Sequence, residues 1–363
     1  MNKYIKIAAG ILLAAVLILT VAACGKKQEE TTTETATETT TETAKEKISY
    51  EHENLITGLD NISDEAIGKR PVAVMINNVA DALPQYGVCQ ADMIIEMPVE
   101  SDLTRLMAFY SDYTRIPDII SVRSCRYYFP AIAQGFDAVY LHWGIDQTVI
   151  DYVNGLGIDR IDLDNENQDF VFNIRTRSEE RLNAGYSWEH TTLLYGSTLP
   201  DTFDMLGFDM NLSSEYEGTF FKFDEYEDPI IPTDGDCAKV DINFGSQSTQ
   251  LEYNEETNSY DKFFNNEPHV DGDTGRQYSY TNVFVLETEV KDREDGYHKS
   301  VDWQGGEDSV GYYLSNGKMQ KIHWSKADEK SKLIFTDEEG NELTINRGKI
   351  YIGFCAAGQE SFS

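Results

Sequence analysis

The chain has 363 residues, 40% of them hydrophobic, and carries a formal net charge of −33 at pH 7. This length exceeds what one hydrophobic core usually holds, so the folded part is predicted to contain two domains. The negative charge argues against nucleic acid and anionic lipid headgroups as partners of the folded part. Basic proteins, cationic peptides and divalent ions remain compatible with it, and acidity also keeps a secreted protein soluble.

The first 23 residues have the pattern of a secretory signal that ends in a lipobox. Lys3 and Lys6 precede a short apolar run, and small residues come directly before Cys24. An uncleaved anchor is the alternative, because the run is only slightly shorter than the ~20 residues of a membrane-spanning helix. We predict that residues 1–23 form a signal peptide and that Cys24 receives a diacylglyceryl group. Its two acyl chains would hold the protein on the extracytoplasmic face of the cell membrane.

The composition changes abruptly after the lipobox. Residues 24–47 are rich in Thr and Glu, and large apolar residues are absent from most of this segment. Such a segment cannot bury enough surface to offset its backbone entropy, which predicts a lipidated, disordered tether. Turn-forming and acidic residues cluster again at 211–217. This second change indicates a boundary between one domain over 48–213 and another over 214–357.

The first domain is predicted to be a mixed α/β domain. Apolar runs that are rich in β-formers and bounded by Pro, Gly, Asn or Asp indicate buried strands. These runs lie within residues 70–78, 91–97, 105–110 and 137–144. Helices are predicted over residues 127–134, 148–156 and 191–205.

The second domain is predicted to be an antiparallel, β-rich domain. Apolar residues alternate with polar ones over 239–245, as in a half-buried strand. The segments 249–253 and 259–263 are expected to pair across a turn. Asn316 and Gly317 favour a two-residue hairpin, because both tolerate positive φ. The predicted fold class is therefore α+β.

A set of residues spread over nearly the whole folded part matches one family pattern. The matching residues are the segment 70–78, Pro84, Gln85, Gly87, Ala91, Asp92, Glu96, Glu100, Thr104, Arg105, the segment 122–126, His269, Asp271, Thr274, Gly275, Asn282, Val283, Trp324, Phe335, Gly340 and Gly348. On these residues the chain resembles the YerB-type lipoprotein family, a Gram-positive bacterial family with a domain of unknown function. The resemblance implies a secretion signal, a lipobox in many members, an N-terminal mixed domain and a C-terminal β-rich domain, without an established activity.

Two positions depart from this family pattern. Ser101 stands where the pattern favours Gly, and Cys125 stands where it favours a small residue between Ser124 and Arg126. Since the family resemblance does not require a thiol there, Cys125 is not expected to act as a nucleophile.

Polar and charged residues lie at the ends of the apolar runs of the first domain. Strand ends of an α/β sheet form ligand clefts, and grouped arginines bind carboxylate or phosphate groups. The alternative is an internal network in which these acids and arginines satisfy one another. The candidate ligand-binding residues are Glu96, Glu100, Thr104, Arg105, Arg123, Ser124, Arg126, His142, Arg175 and His190.

Two classes of function fit these observations. GxSxG, HExxH, the phosphate-binding loop and GxGxxG are all missing from the sequence, so no catalytic residue and no cofactor is predicted. The first class is a non-catalytic surface lipoprotein that binds or regulates an envelope component, such as a cell-wall synthase or a wall glycan. The alternative is an envelope hydrolase or transferase that uses Glu96 or Glu100 with His142 or His190.

No metal site is predicted. The cysteines that follow the lipobox lack zinc-ligand spacing, and buried free thiols are favoured over two disulfides. The acidic run at 162–166 resembles the start of a calcium loop, but Asn167 and Asn173 replace the required Gly and Glu. A solvated acidic loop is the preferred interpretation, and a weak calcium site is the alternative. The cysteines in question are Cys89, Cys125, Cys237 and Cys355.

Overall fold

The computed structural model describes residues 45–363 of the chain. The predicted signal peptide, the lipidation site at Cys24 and all but the last residues of the tether lie outside this range. Residues Glu46–Ser363 form one compact unit. Within the described range, no helix has both the length and the apolar character needed to cross a membrane.

Strands and short helices alternate in the first half of the described chain. The strands are β1 (Val72–Asn78), β2 (Met93–Pro98), β3 (Thr104–Tyr110), β4 (Ile119–Ile120), β5 (Val139–His142), β6 (Arg160–Asp162), β7 (Arg175–Arg177) and β8 (Thr192–Leu194). The helices are α1 (Tyr128–Gln134), α2 (Ile150–Gly155), α3 (Val171–Ile174), α4 (Glu179–Asn183) and α5 (Leu199–Leu206).

The second half consists mainly of strands. They are β9 (Lys222–Phe223), β10 (Gly235–Asp236), β11 (Lys239–Asn243), β12 (Ser248–Asn254), β13 (Ser259–Phe264), β14 (Glu267–Pro268), β15 (Ser279–Tyr280), β16 (Asn282–Glu287), β17 (Val290–Asp292), β18 (Lys299–Val301), β19 (Gly305–Ser315), β20 (Lys318–Ser325), β21 (Ile334–Thr336), β22 (Thr344–Ile345), β23 (Ile350–Cys355) and β24 (Glu360–Phe362).

One mixed sheet runs through both halves of the chain. Its strands follow the order β10–β20–β19–β16–β23–β2–β3–β1–β5–β6, with β21 paired to β20. β2 pairs in parallel with β23, where Met93 lies opposite Ile350, and antiparallel with β3. Every residue of β2 and β23 is buried, as expected of parallel strands that are covered on both faces. Strands from the two predicted domains therefore share a sheet, and the division at residue 213 stays a prediction.

The two faces of this central sheet support two separate apolar cores. Along β1, Ala73 and Met75 belong to one core, whereas Val72, Val74 and Ile76 belong to the other. This alternation follows from the two-residue period of a strand. The first core includes helices α1 and α2, and the second includes α5 and the inward residues of β11, β12 and β13. The latter strands form a smaller antiparallel sheet in the order β14–β13–β12–β11–β24, with β15 on β13.

The α+β fold class is confirmed, with antiparallel sheets in the C-terminal half. The hairpin at Asn316 and Gly317 forms between β19 and β20, and φ is 54° and 69° at these residues. The second half was predicted to be antiparallel, but it also contains one parallel strand. β23 runs parallel to both of its neighbours, β2 and β16.

One predicted helix is wrong in its first half. Residues 191–205 do not form a single helix, because Thr192–Leu194 is strand β8 and pairs with β4 and β7. Helix α5 begins only at Leu199, and Pro200 lies in its first turn. Proline lacks an N–H and suits only the start of a helix, while β-branched threonines favour a strand.

Candidate functional site

An open cleft of about 510 Å³ lies where β1 and β2 end and β3 begins. The 79–81 turn, the segment after β4 and the turn before β8 complete its walls, and the loop between β17 and β18 adds one side chain from the second half. The lining residues are Asn77, Val79, Ala80, Asp81, Val99, Glu100, Leu103, Thr104, Arg105, Arg123, Ser124, Arg126, Glu189, His190 and Tyr297.

The floor of the cleft is an ion cluster of Glu100, Arg105 and Arg126. Arg105 donates from Nη2 to both carboxylate oxygens of Glu100 at 3.2 Å, and Arg126 Nη2 contacts the same carboxylate. The three residues are only 4%, 5% and 8% exposed. Two guanidinium groups thus share one carboxylate, so the floor carries an excess of one positive charge.

A tight turn presents Glu100 to the cleft. Leu103 N donates to Glu100 O at 2.8 Å, which closes the connection between β2 and β3. Ser101 at the tip of this turn has φ of 46°. This left-handed conformation favours glycine, the residue that the family resemblance led us to expect at this position.

The two floor arginines are held by backbone carbonyls. Arg105 Nη1 donates to Ser124 O at 2.6 Å, and Arg126 Nη1 donates to Cys125 O at 2.7 Å. Burial lowers the pKa of Arg105 to about 10 and also lowers the pKa of Arg126, but both guanidinium groups stay protonated at pH 7. Within residues 45–363, the buried Nε of Arg126 has no hydrogen-bond partner.

The rim of the cleft consists of Asp81, Arg123, Glu189 and Tyr297. Arg123 Nη2 lies 3.2 Å from Glu189 Oε2, and the two side chains are 26% and 54% exposed. An ion pair this exposed contributes about 0–1 kcal/mol to stability, so a ligand can replace Glu189 at little cost. Asp81 and Tyr297 are exposed as well.

His190 forms part of the wall between floor and rim. The Asn77 side-chain amide donates to His190 Nδ1 at 3.0 Å, which leaves the hydrogen of a neutral imidazole on Nε2. Burial lowers the pKa of His190, so the ring is neutral at pH 7. His190 Nε2 lies 3.6 Å from Glu189 Oε1.

Glu96 lies outside the cleft, in the closed space between the two sheets. It is fully buried, and its carboxylate accepts hydrogen bonds from four neutral side chains. Lys262 Nζ lies 3.3 Å from Glu96 Oε2 and is also fully buried. This ion pair joins β2 of the central sheet to β13 of the smaller sheet. The four neutral donors are Asn78, Thr104, Thr249 and Tyr351.

His142 and Arg175 also lie away from the cleft. His142 is fully buried, with Nδ1 2.9 Å from Gly144 O and Nε2 3.0 Å from Arg160 Nη1. Burial lowers the pKa of His142 to about 4 and keeps the ring neutral. The Arg175 guanidinium lies over the Trp143 ring, 4.7 Å from its centroid. The cleft thus brings together the other seven candidates: Glu100, Thr104, Arg105, Arg123, Ser124, Arg126 and His190.

Among the lining residues that the sequence analysis did not select, Asn77, Asp81, Glu189 and Tyr297 carry polar or aromatic side chains. Glu189 could have been found, because it directly precedes His190. Tyr297 lies in the second half and has no sequence signal. It reaches the cleft because Ser101 N donates to Tyr297 O at 3.1 Å, which ties its loop to the turn at the floor.

The four described cysteines are free thiols. Burial raises the pKa of Cys125 to about 12, which makes this thiol unreactive at neutral pH. Among the described residues, no group of three or more His, Cys, Asp or Glu side chains could hold a metal ion. In the acidic loop, Asp162 accepts a hydrogen bond from Gly144 N, and Asp164 accepts one from Trp143 Nε1. Both carboxylates therefore stabilise the local fold.

Two family models match this chain. The model described as "Protein of unknown function (DUF3048) N-terminal domain" matches residues 56–198, and the corresponding C-terminal domain model matches residues 240–352. The chain belongs to the YerB-type family. In this YerB-type protein the first match contains every lining residue of the cleft except Tyr297, which lies in the second. Both matched segments therefore contribute to the cleft.

A curated relative agrees with this assignment to the YerB-type family, and a solved structure has a similar fold. The "Putative lipoprotein YerB" of Bacillus subtilis (strain 168) is 23% identical over 316 residues, which cover 82% of this chain and 84% of the relative. The crystal structure of the YerB protein from Bacillus subtilis superposes with a TM-score of 0.70 at 21% identity. The superposition covers 85% of this chain and 98% of that structure, which supports the fold.

Proposed function

We propose that this chain is a non-catalytic lipoprotein that is anchored by Cys24 on the extracytoplasmic face of the cell membrane. In this proposal it binds an envelope component, such as a wall glycan or a cell-wall synthase, through the arginine cleft. The lipobox and the name of the Bacillus subtilis relative support the anchor. The geometry of the cleft supports the binding function.

The main observation that supports this proposal is the excess positive charge on the cleft floor. Arg105 and Arg126 share the single carboxylate of Glu100, so one of their two positive charges is not balanced by it. Arg123 at the rim is paired only with the exposed Glu189. Guanidinium groups bind the oxygen atoms of carboxylate and phosphate groups by paired, charge-assisted hydrogen bonds, so the ligand carries one of these two groups.

Binding is favoured over hydrolysis or group transfer because the candidate acids and bases are already engaged. A general base needs a carboxylate or imidazole that is free to take up a proton. Glu96 and His142 are enclosed in hydrogen-bond networks away from the cleft, and Glu100 is neutralised by two guanidinium groups. His190 does reach the cleft, but its Nδ1 already accepts a hydrogen bond from the Asn77 side-chain amide.

The binding function is tested with Arg123→Ala and inorganic phosphate as the probe. We expect phosphate to raise the melting temperature of the unmodified protein by mass action, and this rise to be lost in Arg123→Ala. The melting temperature without phosphate should hardly change, because the pair with Glu189 is exposed. Arg115→Ala is the matched control, since Arg115 is 62% exposed and forms a similar pair with Asp112 outside the cleft.

Two outcomes would contradict the binding function. One is an Arg123→Ala protein that is strongly destabilised but still responds to phosphate. The other is an equal loss of the phosphate response in Arg115→Ala, which would indicate a general salt effect. In cells, crosslinking followed by purification should recover the partner with the unmodified protein and the control, and not with Arg123→Ala.

The anchor is tested by replacing Cys24 with Ser. Labelling of growing cells with a clickable fatty acid should mark the unmodified protein and leave Cys24→Ser unlabelled. The unlabelled protein should be released or should keep its signal peptide. Equal labelling of both proteins would disprove lipidation at Cys24.

A further inference from the structure

Floor and rim of the cleft differ in charge, and this difference restricts the chemistry of the ligand. The floor carries an excess positive charge, whereas the rim offers one guanidinium group and two carboxylates, from Asp81 and Glu189. A site for a bare anion gains nothing from carboxylates at its entrance, because they repel the ligand. A polyhydroxylated ligand with a single acidic group suits both parts, since hydroxyls donate to carboxylates and accept from guanidinium groups.

Exposed aromatic rings provide a second, independent observation. Tyr297 lines the cleft and is 56% exposed, and Trp188, directly before the rim residue Glu189, is 62% exposed. Burying such a large ring in a complex removes much apolar surface from water, and its electron-rich face attracts C–H groups. The pyranose ring of a sugar presents such C–H groups on its face and hydroxyls at its edge.

Both rings are held in place before any ligand binds. The Arg177 guanidinium lies over the Trp188 ring at 4.5 Å and over the buried Trp143 ring at 4.3 Å. Tyr297 contacts His298 edge to face at 5.1 Å, and its carbonyl accepts from Ser101 N. Rings that are already positioned lose little conformational freedom on binding.

The volume of the cleft also fits a ligand larger than an ion. About 510 Å³ lies within the range of small-molecule sites, whereas a carboxylate or a phosphate alone would fill only a small part of it.

We infer that the cleft binds a sugar that carries one acidic group. The acidic group contacts the guanidinium groups of the floor, the sugar ring stacks on Tyr297, and the hydroxyls bond to the rim. This inference rests on the proposed function and adds to it the class of the ligand. A carboxylate and a phosphate are equivalent at the floor, and the experiment distinguishes them.

The test uses the purified full chain in detergent and four probes in saturation-transfer NMR. N-acetylmuramic acid joins a sugar ring to a lactyl carboxylate, N-acetylglucosamine has the ring alone, and D-lactate has the acid alone. Glucose 6-phosphate replaces the carboxylate by a phosphate. We expect the sugar acid or the sugar phosphate to bind at least about tenfold more tightly than either fragment, with the strongest transfer to protons on one face of the ring.

Three variants separate stacking from anion binding. Tyr297→Ala should weaken binding of the sugar acid by about tenfold and leave D-lactate binding unchanged, whereas Tyr297→Phe keeps the ring and should bind like the unmodified protein. Phe172→Ala is the control, because Phe172 is 52% exposed and does not line the cleft.

The outcomes distinguish this inference from the proposed function. Equal binding of N-acetylmuramic acid and D-lactate, with no effect of Tyr297→Ala, would overturn the sugar and leave the anion cleft intact. Absence of binding by every probe would overturn both. Tighter binding of triglutamate than of either acidic sugar would show an acidic peptide to be the ligand and would also overturn the inference.

Discussion

Removing one partner of the buried ion pair between Lys262 and Glu96 should strongly destabilise the fold, because the other charge is then left buried and unpaired. Lys262 and Glu96 are both fully buried, and Nζ lies 3.3 Å from Oε2. Lys262 Nζ also lies 3.0 Å from Thr249 Oγ1 and 3.2 Å from His269 Nδ1. Burial lowers the pKa of Lys262, and the nearby Glu96 carboxylate opposes that shift.

We expect Lys262→Met to lower the free energy of unfolding by about 3–5 kcal/mol, the usual cost of leaving one charge of a buried pair without its partner. Methionine fills nearly the same volume, so the loss reports on charge and hydrogen bonding rather than on a cavity. A domain is typically stable by only ~5–15 kcal/mol, so this loss is a large fraction of the total. The double variant Glu96→Gln with Lys262→Met should recover most of it, because no unpaired charge remains.

Urea denaturation followed by circular dichroism measures these differences, provided that the slope of the transition stays the same. A loss of less than about 1 kcal/mol in Lys262→Met, or a double variant as unstable as the sum of the single ones, would refute this reasoning. Phosphate binding to the folded variants should remain, because neither residue lines the cleft. Its loss would assign Glu96 a role in the site.

Three further predictions concern acid stability, the turn at the cleft floor and the connection between the halves. The folded-state pKa of His142 is about 4, below its ordinary value of 6.5, so the unfolded chain binds more protons between these values. Stability should therefore fall by about 3 kcal/mol as the pH drops from 6.5 to 4, and less in His142→Gln, which does not titrate. Ser101→Gly should raise stability by about 1 kcal/mol, because φ is 46° there. A protease site inserted in the exposed segment 225–229 should be cut without separating the two fragments, because β2 and β23 are paired.

Each of these predictions has a direct check. Equal pH profiles for the unmodified protein and His142→Gln would contradict the first, and an unchanged urea midpoint for Ser101→Gly would contradict the second. For the third, size-exclusion chromatography should show the cut fragments eluting together. Fragments that elute separately and stay folded would show that the shared sheet does not hold the halves together.

Local patterns in the sequence were sufficient to predict many of the elements. Apolar runs between turn residues predicted β1, β2, β3 and β5, because a strand that is buried on both faces consists mainly of apolar residues. Asn316 and Gly317 predicted a hairpin, because few residues adopt positive φ at low cost. The grouping of arginines at 105, 123 and 126 predicted part of the site, since neighbouring strand ends lie close together.

Only the tertiary structure decided which strands meet and which charges pair. Met93 and Ile350 face each other although they are 257 positions apart in the chain, and nothing local in either segment specifies that partner. For the same reason the sequence did not reveal that Tyr297 reaches the cleft or that Glu96 is enclosed by residues of the smaller sheet. A strand buried on both faces can pair with any other such strand. Which strands become neighbours depends on which arrangement packs the side chains of both apolar cores. The sequence determined the elements and the residue types at their ends, and packing determined which of those residues share a site.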